Sequence, residues 1–126
     1  MIYGIGTDIA AIHRFETLLA KHGQAFVAKI LTEAEQADFV TKKQPAVFLA
    51  KRFAAKEAFA KAVGQGLRHP VTLHHVGVAH GPLGKPIYAY APVLQDWLAE
   101  RGITTVHLSI SDERDNVVAF AIAEQR

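Results

Sequence analysis

Residues 45–64 read PAVFLAKRFAAKEAFAKAVG, and this stretch predicts one long helix around which the rest of the chain is organised. Pro45 suits the first position of a helix, and Gly64 suits the residue just past its end. Alanine, leucine, lysine and glutamate fill much of the interior, and all four favour helix. The sequence therefore predicts a helix of about five turns here.

This helix has two apolar faces. At about 100° per residue, one holds Ala46, Leu49, Ala50, Phe53 and Ala60, and the other holds Phe48, Ala55 and Phe59. Two such faces predict packing on two sides. Glu57 falls within the first face, where an unpartnered carboxylate is costly to bury. Lys61 follows one turn later, so the spacing favours a simple salt pair between these two side chains.

The composition is typical of one globular domain. The chain has 126 residues, of which 50% are hydrophobic and 21% charged, so we expect a single domain over residues 1–126. It has no cysteine, which excludes a disulfide framework, a thiolate metal site and a cysteine nucleophile. The apolar N-terminus has no basic leader and contains Asp8, and no apolar run approaches membrane-spanning length. We therefore expect a cytoplasmic protein with no membrane partner.

The charge pattern points to anionic partners. The net charge of +2 is too small to indicate nucleic-acid binding by itself. The basic residues nevertheless form two groups, which suggest two anionic partners or one long one. The first group is His13, Arg14, Lys21, His22 and Lys29, and the second is Lys42, Lys43, Lys51, Arg52 and Lys56.

Hydrophobic periodicity and turn residues predict a mixture of helices and strands. Thr32 and Glu35 fit a capping box that opens one of the helices. The predicted helices span 10–22, 24–31, 32–41, 45–64 and 92–101, and the predicted strands span 1–9, 71–79, 87–90, 104–111 and 117–123. The last two strands are predicted to form a hairpin.

The first strand has one bare face. Gly4, Gly6 and Asp8 alternate with larger residues, so something must approach the glycine side closely. Asp8 lies on that side, at the end of the predicted strand. It either caps the helix that follows or serves as a metal-binding or phosphate-handling carboxylate, and the pattern alone favours the cap.

Residues from separate elements together suit phosphoryl chemistry. One strand face carries a polar line of His107, Ser109 and Ser111. By itself such a line is typical of the solvent side of an antiparallel sheet. Asp8 and Glu57, however, come with Lys61, a histidine and glycines at 64 and 66. Because Mg²⁺ prefers one or two carboxylates plus phosphate oxygens, this set is consistent with Mg²⁺-dependent phosphoryl chemistry.

Four segments resemble one enzyme family. They are GIGTDI at 4–9, AKRFAAKEAFAKA at 50–62, GKP at 84–86 and HLSIS at 107–111. In this order and spacing they resemble the holo-[acyl-carrier-protein] synthases, the short class of 4′-phosphopantetheinyl transferases. The resemblance implies an α+β fold with one long helix packed against a small antiparallel sheet. It also implies a homotrimer with sites at three subunit interfaces, so that one face of the long helix and the bare face of the first strand would meet a neighbour.

The resemblance also implies a reaction. Phosphopantetheine moves from coenzyme A to a serine of apo acyl carrier protein, and adenosine 3′,5′-bisphosphate is released. Asp8 and Glu57 would bind Mg²⁺ against the pyrophosphate of coenzyme A, and Lys61 would contact the transferring phosphate. His107 would help to deprotonate the serine, with a metal-activated or bridging water as the rival base.

Two larger sets of contacts follow from the same resemblance. The residues implied at coenzyme A are Arg52, Lys61, Gly64, Gly66, Pro86, His107 and Ser109. The residues implied in docking the acidic carrier helix are Arg14, Lys21, Phe26 and Lys29. One position departs from the common family pattern, because Asp112 stands where many members have a histidine. A coenzyme A contact made by that histidine cannot be carried over to this chain.

Two other functions stay open from the residues alone. A basic binding module for nucleic acid or for an acidic protein would need no carboxylate pair. Its binding would be sensitive to salt and indifferent to Mg²⁺ and coenzyme A. A metal-dependent phosphohydrolase would use the same residues with water as the acceptor.

Overall fold

The long helix lies at the centre of the molecule, between two small sheets. The computed structural model describes all residues, Met1–Arg126. The elements in chain order are β1 (Ile2–Ala11), α1 (Ile12–His22), α2 (Gln24–Ile30), α3 (Glu33–Phe39), α4 (Pro45–Ala62), β2 (Val76–His80), a 3₁₀ turn (Pro82–Gly84), β3 (Pro86–Tyr90), α5 (Pro92–Glu100), β4 (Ile103–Asp112) and β5 (Asn116–Gln125). None of the helices combines the length and the apolar character needed to cross a lipid bilayer.

Both sheets are antiparallel. The larger has three strands in the order β1-β5-β4, and the smaller pairs β2 with β3. Helix α4 packs on the inner face of the larger sheet, mainly against β1 and β5. The alternation of β5 explains this contact, because Val117, Ala119, Ala121 and Ala123 are all fully buried. The predicted α+β architecture, with one long helix on a small antiparallel sheet, is confirmed.

Helix α4 is enclosed by its own chain on both apolar faces. Phe59, on the second face, is fully buried and contacts the rings of Tyr88 and Tyr90 of β3 at centroid distances of 5.0 and 5.5 Å. The Tyr88 hydroxyl also donates a hydrogen bond to the Ala55 carbonyl oxygen. The expectation that one face of this helix meets a neighbouring subunit is therefore wrong, because β3 already covers that face.

The bare face of β1 is covered by the same helix. A Cβ atom added at Gly4 would overlap the Ala62 carbonyl oxygen, and one added at Gly6 would overlap the Ala58 carbonyl oxygen. The glycines thus let the strand lie directly on the helix backbone, as the sequence required, but the close neighbour is α4 and not another subunit. This contact fixes where Asp8 lies relative to the end of α4.

We expect Gly6→Ala to lower the free energy of unfolding by about 3 kcal/mol, because the added methyl group forces β1 away from the helix backbone. Urea denaturation followed by circular dichroism measures the loss. Gly77→Ala is the matched control, since its Cβ would meet no atom closer than 3.5 Å. That control should be neutral or stabilising by up to about 1 kcal/mol. Equal effects of the two substitutions would contradict the close packing of β1 on α4.

The first strand is longer than predicted, and this changes the position of Asp8. Strand β1 pairs with β5 through Ala11, with Asp8 opposite Ala119. Helix α1 then begins without a side-chain cap. Its first amide group, that of Ile12, donates to the Asp115 carbonyl oxygen at 2.9 Å. The interpretation of Asp8 as an N-cap is wrong, because pairing with β5 continues the strand past it.

Other boundaries follow the sequence more closely. The capping box is present, with the Thr32 amide donating to Glu35 Oε1 at 3.0 Å and the Glu35 amide donating to Thr32 Oγ1 at 3.2 Å. The C-terminal hairpin of β4 and β5 is confirmed. Strand β2 begins at Val76 and not at residue 71, because residues 72–75 form a turn in which the Val76 amide donates to the Thr72 carbonyl oxygen.

Candidate active site

Asp8 and Lys61 meet where β1 crosses the C-terminal part of α4. Lys61 Nζ lies 3.2 Å from Asp8 Oδ1 and 2.9 Å from the Thr7 carbonyl oxygen, to which it donates. Asp8 follows Gly6 on the same strand face, so the close approach at the glycine brings its carboxylate to the helix. Lys61 is half exposed, and two of its three hydrogens have partners in the chain. It is therefore held in place and still accessible.

Glu57 lies beside this pair without an ion pair of its own. Lys61 is engaged by Asp8 instead, so the predicted Glu57–Lys61 salt pair is wrong. Burial raises the pKa of Glu57, and the charge of Asp8 raises it further, while Lys61 and Arg14 act in the opposite direction. Two carboxylates and one ammonium group thus lie together, and we call this site of Asp8, Glu57 and Lys61 the carboxylate corner.

The donor set of this corner suits a hard divalent cation. Nowhere in the chain do three or more histidine, cysteine, aspartate or glutamate side chains form a metal-binding cluster. Mg²⁺ does not need one, because it is commonly held by one or two carboxylates with water and phosphate oxygens. Burial first and then the charge of Asp8 raise the pKa of Glu57, and a bound cation would offset both effects by favouring the ionised carboxylates.

A groove of about 410 Å³ lies next to this corner, between α1 and α2. Its floor contains the rings of Phe15, Phe26 and Phe53, and Arg14 and Lys29 contribute positive charge. The Arg14 guanidinium lies 5.8 Å from the ring centroids of both Phe15 and Phe53. Of the predicted docking residues, Arg14, Phe26 and Lys29 therefore line one groove. The fourth, Lys21, is exposed two helical turns after Arg14 on the same side of α1.

Arg52 and Pro86 line a second, basic groove of about 560 Å³ on another side of α4. Arg52 precedes Glu57 by five residues, which turns it about 140° away around the helix. Its side chain is 4% exposed, and its Nε atom has no hydrogen-bond partner. The other cationic side chains of the groove are those of Lys42, Lys43, Lys51 and, when protonated, His80. Lys56 is not among them, because it is fully buried, so its assignment to the second basic group is wrong.

His107 and Ser109 lie on the opposite face of the larger sheet from Asp8. Leu108 on β4 and Asp8 on β1 point towards α4, whereas His107 and Ser109 are exposed on the outer face. His107 Nε2 lies 2.7 Å from Glu124 Oε1 on β5. A single subunit therefore does not bring His107 together with the carboxylates.

The remaining predicted positions lie at the end of α4. Gly64 and Gly66 have φ values of +79° and +69°, and the Gly66 amide donates to the Ala60 carbonyl oxygen. Gly64 and Gly66 come within about two turns' length of chain after Lys61, so the loop adjoins the carboxylate corner. The largest groove, about 880 Å³ between α1, the start of α4 and the β4–β5 turn, contains none of the predicted site residues.

Two contributors were missed from the sequence. The Thr7 carbonyl oxygen accepts from Lys61, and a backbone group carries no residue-type signal. Glu124 contacts His107, and it lies one residue beyond the predicted end of the last strand. Continuing the alternation of that strand by one position places Glu124 on the outer face, so the pattern contained a signal for it.

Comparison with known proteins gives a consistent result. The family model of the 4′-phosphopantetheinyl transferase superfamily matches residues 4–121. The holo-[acyl-carrier-protein] synthase of Neisseria meningitidis serogroup A is 55% identical over 125 residues, covering 99% of this chain and 100% of that protein. The holo-[acyl-carrier-protein] synthase of Laribacter hongkongensis is 55% identical over 124 residues, covering 98% and 99%.

Solved structures agree with the sequence comparisons. The crystal structure of the Neisseria meningitidis synthase has a TM-score of 0.97 at 54% identity, covering 99% of this chain and 100% of that one. A Bacillus anthracis synthase in complex with coenzyme A (3′,5′-ADP) has a TM-score of 0.83 at 37% identity, covering 100% and 99%. Sequence, family model and fold all lead to one assignment: the chain belongs to the holo-[acyl-carrier-protein] synthases, enzymes of the 4′-phosphopantetheinyl transferase superfamily.

Proposed function

We propose that this chain transfers the 4′-phosphopantetheine group of coenzyme A to a serine of an apo acyl carrier protein, with Mg²⁺, and releases adenosine 3′,5′-bisphosphate. The observation that carries the proposal is the corner where Asp8, Glu57 and Lys61 meet. It offers hard oxygen donors and an ammonium group to a pyrophosphate. Support also comes from the relatives named as holo-[acyl-carrier-protein] synthases and from the Bacillus anthracis structure with coenzyme A.

Each residue of the corner has a physical task. Asp8 and Glu57 would hold Mg²⁺, which when bound offsets the negative charge of the pyrophosphate. Lys61, fixed by Thr7 and Asp8, keeps one hydrogen free for an oxygen of the transferring phosphate. Negative charge on the phosphate oxygens and the leaving group is stabilised by an ammonium group that needs no reorganisation. The serine proton has two candidate acceptors, His107 and a bridging water.

We propose that the complete site forms between subunits of a homotrimer. The support is the placement of His107 and Ser109 on the opposite sheet face from the carboxylate corner. That outer face is also apolar, with Ile5, Ile9 and Phe120 exposed by 60%, 68% and 41%. Exposed apolar side chains of this size on one sheet face are typical of an interface. Covering the face with a neighbour would bring the neighbour's residues to His107.

Coenzyme A then has binding groups in two regions. The loop of Gly64 and Gly66 adjoins the carboxylate corner, while Arg52 and Pro86 belong to the basic groove. The Arg52 guanidinium suits a phosphate group, because its Nε atom makes no hydrogen bond within the chain and has only a longer ion pair, 3.6 Å from Glu35 Oε2. We propose that the loop and the groove of different subunits hold one coenzyme A molecule, with Ser109 beside His107.

Mixing two inactive variants tests the shared site. We expect Glu57→Gln and His107→Ala each to lose most of the transfer activity, and an equal, randomly reassembled mixture of the two to regain about a quarter of the wild-type activity. The reason is statistical, because one interface in about four then combines an intact Glu57 with an intact His107. Activity is measured after the variants are dissociated and reassembled together. If no activity returns in confirmed mixed trimers, both groups come from one subunit and the shared site is wrong.

The groove between α1 and α2 is proposed to dock the acidic helix of the carrier. Its support is the apolar floor with Phe26 and the positive charge of Arg14, Lys21 and Lys29 around it. Complementary charges of this kind raise the association rate and set the orientation of a partner. Phe53 of this groove precedes Glu57 by about one turn of α4, and the charge of Arg14 opposes the rise in the pKa of Glu57. A carrier bound there would bring its serine to the transferring phosphate.

Lys29→Glu should raise the KM for the carrier about tenfold and leave the KM for coenzyme A within about twofold, because it places a like charge against the acidic helix. Steady-state kinetics at low and high salt measure the change. The effect should shrink as salt is added, since the repulsion is screened. Arg114→Glu, an exposed substitution in the β4–β5 turn, is the control and should leave both constants unchanged. Equal effects of the two variants would argue against this groove.

One assay separates the proposed reaction from the alternatives. The protein is incubated with coenzyme A, Mg²⁺ and an apo carrier, and the mass of the carrier is measured. Gain of a phosphopantetheine group on the carrier supports the transferase. Release of free phosphopantetheine without that gain supports a hydrolase. Salt-sensitive binding that ignores Mg²⁺ and coenzyme A, with no reaction, supports a basic binding module.

A further inference from the structure

Glu124 is an acidic side chain in contact with His107, and no role has yet been given to it. Both side chains lie on the outer face of the larger sheet, His107 on β4 and Glu124 on the neighbouring strand β5. His107 Nε2 and Glu124 Oε1 are 2.7 Å apart. From this contact we propose that Glu124 is a positioning residue, which holds the His107 ring with its proton on Nε2 and leaves Nδ1 as the nitrogen that faces the substrate.

The chemistry of the two groups fixes the direction of the hydrogen bond. An ionised carboxylate only accepts hydrogen bonds, so the ring nitrogen facing it must carry a proton. In a neutral imidazole the second nitrogen then carries the lone pair. No other protein group is hydrogen-bonded to the His107 ring, so Nδ1 is available. In other enzymes that activate a serine, a carboxylate likewise orients the imidazole base, although there the carboxylate contacts Nδ1 and Nε2 takes the proton.

The sheet is irregular at this position on both sides. Strand β4 shifts its register against β5 between Ile103 and Thr105, where Thr105 pairs with Glu124. Strand β1 shifts its register between Ile2 and Gly4, where Ile2 pairs with Glu124. Such irregularities re-aim side chains and are frequent beside active sites. Here both neighbours of β5 lose their regular pairing at the residue that contacts His107.

This positioning role rests on the proposed function, and it assigns the group that accepts the serine proton in that reaction. The O–H bond of the carrier serine breaks, and its proton passes to His107 Nδ1. The serine oxygen forms a bond to the phosphorus that carries pantetheine. The bond from that phosphorus to the bridging oxygen breaks, and its electron pair leaves with adenosine 3′,5′-bisphosphate. Glu124 offsets the positive charge of the imidazolium that is formed, as a carboxylate behind a catalytic histidine does elsewhere.

The tautomer of His107 is measured directly in the free protein. Long-range ¹H–¹⁵N spectra of protein labelled at histidine nitrogens distinguish the two ring nitrogens, and His107→Ala assigns the signal. We expect the wild-type ring to carry its proton on Nε2 and the ring in Glu124→Ala to show a mixture of both tautomers. A proton on Nδ1 in the wild type, or the same single tautomer in both proteins, would overturn the proposal.

Kinetics give a second and independent test. Glu124→Ala should lower kcat about 10- to 100-fold and leave the KM for coenzyme A within about twofold, because substrate binding is not altered. In a His107→Ala background the same substitution should cost less than about twofold, since its effect passes through the histidine. An equal loss in both backgrounds would show that Glu124 acts without His107 and would refute the positioning role.

Two controls separate this proposal from more general failures. Glu100→Gln, at an exposed carboxylate on α5, should leave the tautomer and kcat unchanged. The mass of each variant in solution is compared with that of the wild type, so that a lost assembly is not mistaken for a lost proton acceptor. If the wild type transfers no phosphopantetheine, the proposed function fails, whereas the tautomer in the free protein still confirms or refutes the contact with Glu124.

Discussion

Glu57→Gln is expected to reduce Mg²⁺-dependent transfer by about 100- to 1,000-fold, the usual loss when one group that stabilises transition-state charge is removed. Glutamine keeps the length of the side chain but offers the cation a neutral amide oxygen in place of a carboxylate oxygen. Transfer to an apo carrier at saturating Mg²⁺ and coenzyme A measures the loss. An increased Mg²⁺ requirement should accompany it, because Asp8 alone then supplies the negative charge.

The same variant should fold as well as the wild type or better. Glu57 makes no hydrogen bond or ion pair within 4 Å in the chain, so no contact is lost. Burial and Asp8 raise the pKa of its carboxyl group above the value in the unfolded chain. At pH values above the raised pKa, the ionised group therefore lowers the stability of the metal-free fold, and glutamine removes this cost.

We thus predict that Glu57→Gln loses transfer activity while its stability is unchanged or increased. Thermal unfolding without Mg²⁺ is compared for the wild type, Glu57→Gln and Glu33→Gln, where Glu33 is an exposed carboxylate on α3. Glu33→Gln should change activity little. Retained transfer in Glu57→Gln would remove Glu57 from the metal site. Loss of transfer together with a large loss of stability would instead make it a structural residue.

Much of the fold followed from local sequence signals, and the sequence also predicted one close contact. Pro45 and the glycines after residue 62 set the bounds of α4 to within two residues. The glycines of β1 predicted a close neighbour, which is the backbone of α4. What the pattern did not contain was the identity of that neighbour, because the bare strand face and the helix that covers it are more than 50 residues apart in the chain.

The errors at the site share a physical cause. Helix spacing allowed Glu57 and Lys61 to pair, but strand β1, 53 residues away in the chain, places Asp8 beside Lys61 instead. Asp8 had the pattern of a cap, but pairing with β5 extended the strand beyond it. In both cases local spacing was read correctly and a long-range partner decided the outcome. The separation of His107 from the carboxylates has the same origin. The alternation of a strand shows which residues share a face of the sheet, but not which face packs against the helix.

The second large expected effect concerns two buried charged side chains, Lys56 on α4 and Glu35 on α3. Lys56 is fully buried, and its Nζ atom donates to the Ile30 and Leu73 carbonyl oxygens at 2.7 Å each and to Glu35 Oε1 at 2.6 Å. All three hydrogens of the ammonium group therefore have acceptors. Burial lowers the pKa of Lys56, and the charge of Glu35 and its hydrogen bond oppose that shift. One lysine thus joins α4 to α2, α3 and the loop before β2.

Lys56→Met should lower the free energy of unfolding by about 3–5 kcal/mol, because it leaves Glu35 buried without its close partner. Glu35 cannot relax towards water, since it is 2% exposed and its Oε2 atom accepts from the Val78 amide at 2.9 Å. Arg52 replaces the lysine only in part, because its Nε atom lies 3.6 Å from Glu35 Oε2 and makes no hydrogen bond to it. Urea denaturation at one fixed protein concentration measures the loss.

Lys51→Met is the matched control on the same helix. Lys51 pairs with Asp112 at 2.9 Å, but its side chain is 38% exposed and that of Asp112 is 41% exposed. An exposed pair of this kind contributes about 1 kcal/mol or less, so the control should lose only that amount. A double variant with Glu35→Gln should recover part of the loss of Lys56→Met, because it removes the uncompensated charge. Equal losses of unfolding free energy at positions 51 and 56, or no recovery in the double variant, would show that the buried charge of Glu35 does not cause the instability of Lys56→Met.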